Sequence, residues 1–183
     1  RTRRGEDHTM KRVLKGVVLG IAAVSVAVIG FAVAGARINT TASYPVGVYW
    51  EVDAPLEKGA MVIFCPPKTA EFDEAKARGY IGAGFCPGGY GLMIKKIMGV
   101  PADHVAVSAD GVFVNGELVP NSKPFNADKA GRPMPHYPAD GYTLSEGQVL
   151  LISDHSPLSF DARYFGPVGE SQIRSVIRPV LTW

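Results

Sequence analysis

At 183 residues the chain has one domain's worth of core and excludes two large domains, even after an anchor is set aside. The net charge of +2 is unevenly spread: residues 1–15 carry six basic side chains against two acidic, and the remainder carries 13 basic against 15 acidic. That balance excludes a nucleic-acid-binding stripe.

Residues 16–36, GVVLGIAAVSVAVIGFAVAGA, hold no charge. At about 1.5 Å of rise per residue such a helix spans about 30 Å, the hydrocarbon thickness of a bilayer. The basic cluster precedes the run and only Arg37 follows at once, so the N-terminus is expected in the cytoplasm and the rest outside. The competing reading is a cleaved secretory signal, since Ala34-Gly35-Ala36 fits a small-x-small site. The run is longer than the usual h-region of about 7–15 residues. Both readings export the bulk of the chain. Met10 directly precedes the basic flank, so the first nine residues read as lying upstream of the true start. The expected organisation is a cytoplasmic basic N-terminus over 1–15, a transmembrane helix over 16–36 and an exported domain over 37–183.

The stretch SYPVGVYW begins at Ser43, seven residues past the apolar run. Even fully extended at about 3.5 Å per residue, the chain keeps that hydroxyl within about 25 Å of the run's end. Pro45 biases Tyr44 toward an extended backbone and Gly47 permits a sharp turn. Ser43 is therefore either a nucleophile held near the membrane surface or part of an ordinary loop leaving an anchor. Residues 47–52 have strand composition, LEKG over 56–59 makes a turn, and 61–65 is an apolar strand stopped by Pro66-Pro67. Residues 69–78 favour a short helix capped by Thr69 and ended by Gly79. The Gly-rich stretch 82–91 lacks the residue order of a phosphate loop, which argues against nucleotide binding.

Residues 91–100 read as a strand with Met93, Lys95 and Ile97 on one face and Ile94, Lys96 and Met98 on the other. One lysine must face inward. Short strands at 105–108, 112–114 and 117–119, joined by Asp110-Gly111 and Asn115-Gly116, make a meander. Residues 120–142 form a polar, Pro- and Gly-rich surface excursion suited to a lid. LSEG over 144–147 leads into a strand at 148–152 and echoes LEKG and its strand. In the stretch 153–168, Ser159, Asp161 and Arg163 alternate, so an extended backbone would put all three on one face, where they can hold a buried lysine. A strand at 175–181 closes a chain read as all-β or mostly β.

A serine hydroxyl is a poor nucleophile until a base takes its proton, and a lysine is such a base when burial keeps it neutral. The alternative is that Lys95 and Lys96 are exposed charges guarding a sheet edge. A Ser/His/Asp triad through His104 or His155 is conceivable, but no Gly-x-Ser-x-Gly elbow supports it. The four histidines, including His8 and His136, have no metal-ligand spacing, and neither a metal nor a cofactor is expected. Cys65 and Cys86 either pair in an oxidising compartment or stay as two buried thiols.

Together, NTTASYPVGVYW over 39–50, MIKKIMGVPAD over 93–103 and SFDARYFGPVG over 159–169, behind an N-terminal anchor, resemble the membrane-bound signal peptidase family with a Ser/Lys dyad. The Ser-x-Pro-x-Gly form is most similar to its TraF branch, conjugative-transfer peptidases that mature pilin subunits. The resemblance implies that Ser43 is the nucleophile and Lys95 the general base. It further implies that Thr41 joins the Ser43 backbone N–H in an oxyanion hole and that Ser159 hydrogen-bonds the lysine. Asp161 would act in catalysis or serve structurally, bonding Lys96 or Arg163. The implied fold is a β-rich peptidase domain of the signal-peptidase and LexA-like type. The implied setting is the bacterial inner membrane, crossed once, with the domain in the periplasm and a membrane-associated pilin-type precursor as partner. Two departures stand out: Ser153-Asp154-His155 where general signal peptidases begin Gly-Asp-Asn, and Ala162 where the family often has serine. The rival readings are a general signal peptidase I and a catalytically silent membrane-tethered β module in secretion-channel assembly. A LexA-like regulator is disfavoured, because the chain has an apolar run and no DNA-binding segment.

Overall fold

The computed structural model describes residues 3–135, 137 and 141–183, the side chains of 3–9 and 13 excepted. It divides into two units, Arg1–Arg37 and Ile38–Trp183.

The first unit is helix α1 (Arg3–Val33), of which the 24 residues Met10–Val33 are long and apolar enough to cross a membrane. By length and composition this segment fits an anchor or a signal sequence. The helix begins well upstream of the uncharged run, because helical backbone bonding continues through a charged flank. It ends three residues short of the expected Ala36. Arg37 Nη1 donates at 2.7 Å to the Ala32 carbonyl in the last helical turn, which also accepts the Gly35 N–H at 3.3 Å.

After α1 the chain runs β1 (Ala36–Asn39), β2 (Gly47–Val52), β3 (Met61–Phe64), α2 (Ala70–Ala77), β4 (Ala83–Cys86), β5 (Met93–Gly99), β6 (His104–Val107), β7 (Val112–Val114), β8 (Glu117–Leu118), β9 (Tyr142–Thr143), β10 (Gln148–Ile152), α3 (Ala162–Phe165), β11 (Val168–Gly169) and β12 (Ile173–Thr182). The domain is mostly β, as its alternating apolar segments require. Seven strands form one sheet in the order β1-β2-β12-β3-β5-β10-β11, and four form a second in the order β8-β7-β6-β9. The two echoed turn-and-strand units become β3 and β10, which flank β5 on its two sides. Asn115 and Gly116 both take positive φ, 52° and 83°, the geometry a two-residue hairpin needs between β7 and β8.

The main core joins Val62, Phe64, Ile97 and Leu151 of the large sheet to Phe72 of α2 and to Phe160 and Tyr164. A smaller cluster, Tyr44, Tyr49, Ile63, Ile94 and Ile177, lies directly under the Ser43 segment. The Gly-rich stretch is a backbone crossing: a Cβ at Gly84 would lie 2.6 Å from the Gly91 Cα. Thr69 stands at the N-cap of α2, but its side chain makes no capping bond. The excursion after β8 is tied down where it is described, with Arg78 Nη1 donating to Pro133 O at 2.6 Å and the Tyr164 hydroxyl accepting Phe125 N–H at 3.1 Å. Its residues 136 and 138–140, with that part of the expected lid, lie outside the described residues.

Cys65 and Cys86 are joined, linking the end of β3 to the end of β4 across a separation of 21 residues. Replacing both with serine is expected to lower the unfolding free energy by about 3 kcal/mol, the loop-closure entropy returned to the unfolded chain. Urea denaturation checks this. An unchanged midpoint would mean that the link restricts nothing in the unfolded state.

Candidate active site

Two segments far apart in sequence converge at Ser43. Strand β5 is paired on both edges, with Val62 opposite Lys95 on β3 and Ile152 opposite Lys96 on β10. Alternation sends Lys95 to the Met93 and Ile97 side, where it is 2% exposed, while Lys96 stays partly open. Lys95 Nζ lies 3.1 Å from Ser43 Oγ and donates to Ile94 O at 3.0 Å. Burial pushes this lysine down from its ordinary value to about 8, with the Asp161 charge opposing the shift and the Arg163 charge adding to it. A substantial share is thus an uncharged amine just above neutrality.

The Ser43 segment is fixed from several sides. Ser153 Oγ donates to the Ser43 carbonyl at 2.6 Å. The Tyr44 ring is buried and its hydroxyl donates to Asp154 Oδ1 at 2.9 Å. Burial, reinforced by the Asp154 charge, raises the Tyr44 hydroxyl far above the tyrosine range, so it remains a donor. Lys96 pairs with the other oxygen of Asp154, so the second lysine braces Tyr44, the residue next to Ser43. Ser159 Oγ lies 3.4 Å from Ser43 Oγ. That contact differs from the expected bond to the lysine: the described partners of Lys95 Nζ are Ser43 and Ile94.

Asp161 and Arg163 are both fully buried. They do not alternate along an extended chain as the sequence suggests. Asp161 is instead the N-cap of α3, and Oδ1 accepts Arg163 N–H at 3.3 Å and Nε–H at 2.8 Å while Oδ2 accepts Nη2–H at 2.9 Å. Of the two structural partners weighed for Asp161, Arg163 is the one it bonds. Oδ2 also accepts the Ser153 N–H at 3.0 Å, so the carboxylate reaches Ser43 through Ser153. The Thr41 hydroxyl donates to Asn39 Oδ1 at 2.8 Å.

Neither histidine weighed as a base bonds the Ser43 hydroxyl among the described residues. The His155 ring stacks on Tyr44 at 6.0 Å, and His104 sits on β6 of the smaller sheet; His136 lies outside the described residues. No group of three or more His, Cys, Asp or Glu fit to hold a metal occurs among them. A cleft of about 390 Å³ lined by Tyr80, Met134 and Phe160 shares no residue with the Ser43 cluster.

Three contributors were missed by sequence reading: Asn39, Ser153 and Asp154. The signal for Asp154 was present, since an acid in one motif was available for whichever lysine of the other faced out. Asn39 and Ser153 give a weaker signal, a small polar residue heading each motif.

The family described as signal peptidase, peptidase S26, matches residues 10–182. The plasmid transfer protein TraF of Escherichia coli is 60% identical over 178 residues, covering 97% of this chain and 99% of that one. A probable conjugal transfer protein TraF of Sinorhizobium fredii is 38% identical over 177 residues, 92% of this chain and 91% of that one. A crystal structure of a signal peptidase I from Enterococcus faecalis aligns at a TM-score of 0.40 and 18% identity, over 69% of this chain and 99% of that one. With the family's match running almost end to end and a relative this similar over its whole length, the chain belongs to the signal peptidase S26 family.

Proposed function

We propose that the chain is a membrane-anchored serine endopeptidase that processes an exported, membrane-associated pilin-type precursor in conjugative transfer. The observation that carries the reading is a lysine 2% exposed with its Nζ 3.1 Å from a serine hydroxyl. Neutral Lys95 takes the Ser43 proton as Oγ attacks the carbonyl that follows a small residue, and the Ser43 N–H and Thr41 hydroxyl receive the oxyanion. Protonated Lys95 then returns the proton to the leaving amine, which leaves an acyl-enzyme. Water, or the precursor's own N-terminal amine, attacks that ester with Lys95 again as base; the first gives a linear product and the second a ring.

The strand pattern supports an extended substrate. The β10 register ends at Ile152 opposite Lys96, so residues 93–95 of β5 have no strand on that edge among the described residues. A precursor segment can add there through main-chain hydrogen bonds. Strong identity to transfer proteins favours a dedicated precursor over general secretory processing, while the family's description keeps a general signal peptidase as the second reading.

The test is co-expression with a pilin-type precursor, read by product mass. The wild type is expected to shorten the precursor, with a cyclic product one water lighter than a linear one, and Ser43→Ala is expected to leave it whole. Equal processing by both proteins would overturn the proposal. Efficient cleavage of unrelated secretory precursors by the purified protein would favour the second reading.

A further inference from the structure

Beneath Ser43 one side chain uses its whole hydrogen-bonding capacity on the surrounding loop. Asn39, the last residue of β1, is 3% exposed. Its Oδ1 accepts the Thr41 N–H at 3.0 Å and the Thr41 hydroxyl at 2.8 Å. Its Nδ2 lies 3.0 Å from Thr41 O, 3.0 Å from Tyr44 O and 3.1 Å from Pro45 O, so its two N–H hydrogens are shared among three carbonyls. The partners fix the orientation of the amide: three carbonyls demand donors and a backbone N–H demands an acceptor. The Tyr49 hydroxyl adds a second donor to Pro45 O at 2.7 Å. Ser43 is therefore suspended between two neighbours, Thr41 and Tyr44, held by the same carboxamide.

We propose that Asn39 is a positioning residue for the nucleophile and for the oxyanion donor. The proposal rests on the Ser43/Lys95 reading and deepens it. Through Thr41 and Tyr44 the carboxamide sets the distance from Ser43 Oγ to Lys95 Nζ. Through Thr41 alone it controls a proton. At rest the Thr41 hydroxyl points its hydrogen at Asn39 Oδ1, and as the scissile carbonyl becomes tetrahedral that hydrogen rotates to the new oxyanion. Oδ1 is not orphaned by the rotation, because it keeps the Thr41 N–H. The benefit of the arrangement therefore appears in the transition state and not in substrate binding.

The experiment compares wild type, Asn39→Ala, Thr41→Val and the double variant in full-length protein, with Ser43→Ala as the blank. Initial rates on a precursor-derived peptide give kcat and KM, and circular dichroism gives the folded fraction at assay temperature. Asn39→Ala is expected to lower kcat by about 100-fold per folded molecule, the scale of a misplaced reacting group. KM should stay within about twofold, because an interaction made only in the transition state leaves binding alone. The double variant should lose much less than the product of the two single losses, as expected of residues acting as one unit. If Asn39→Ala does not fold, Asn39→Asp takes its place, since it keeps the size and the acceptor but turns an oxygen toward three carbonyls. A folded variant with near wild-type kcat, a loss confined to KM, or single losses that multiply would each overturn the role of Asn39. Cleavage that persists in Ser43→Ala would overturn the underlying reading instead, so the two failures are distinguishable.

Discussion

Lys95→Met is expected to abolish Ser43-dependent cleavage while making the protein more stable at neutral pH. The two effects have one cause. The amine is 2% exposed and its burial lowers it from 10.5 to about 8, so near neutrality the folded protein carries a mostly charged group in an apolar site. The gap between those values corresponds to about 3 kcal/mol of unfavourable burial. Methionine has similar length and no charge, and it removes that cost. In the wild type the folded state releases its proton near pH 8 and the unfolded state only near 10.5, so stability rises with pH between those points. The Met variant should lack that rise. For activity the sign runs the same way: kcat/KM of the wild type should fall as pH drops below about 8, because the base must be neutral to accept the Ser43 proton. Lys96→Met should keep that acid limb, since Lys96 reaches Asp154 and not Ser43. Peptide cleavage and thermal unfolding measured across pH check both halves. Wild-type rates from Lys95→Met, or a profile that stays flat well below pH 8, would remove Lys95 from the chemistry.

The sequence carried most of the strands, because alternation is local, and it singled out Ser43 and Lys95, which the fold brings within 3.1 Å of each other. Alternation in MIKKIM requires one lysine to face in and the other out, and residues 47–52 and 148–152 match β2 and β10 in full. Strand order was not legible. That β3 and β10 flank β5 depends on pairings between residues tens of positions apart, about which a repeated turn says nothing. The reading of 159–163 as extended failed for a related reason: α3 is a single turn, too short for helical periodicity to register, and it shows only in its backbone bonds, such as Tyr164 N–H to Asp161 O at 2.9 Å, and in the Asp161 cap. Even so, Ser159, Asp161 and Arg163 are all buried around the site, because the cap and the strand both turn polar groups inward there. Asn39 and Ser153 escaped notice because an exposed asparagine or serine and one closing a buried loop look alike until their partners are known. Asn39 acts across a few residues, Ser153 across 110.

The largest loss of stability is expected from Arg163→Met. Both partners of the Asp161–Arg163 pair are fully buried, and truncating the cation strands a carboxylate that is left with Ser153 N–H and its own capping bond. Breaking a buried pair in this way costs about 3–5 kcal/mol. The Lys123, Pro157 and Ser153 carbonyls lose a donor as well. Asp161→Asn together with Arg163→Met should be less damaging than Arg163→Met alone, because no uncompensated charge remains and the Asn oxygen can still accept the Ser153 N–H. Urea denaturation of the three variants checks that order. The same variants separate the two roles open to Asp161. Its charge holds Lys95 up and that of Arg163 holds it down, so Asp161→Asn should move the acid limb of kcat/KM to lower pH and Arg163→Met should move it higher. The double variant should return the limb toward the wild-type position. If folded Asp161→Asn is instead inactive at every pH, the carboxylate takes part in proton transfer itself, and the relay through Ser153 to the Ser43 carbonyl is not its main contribution.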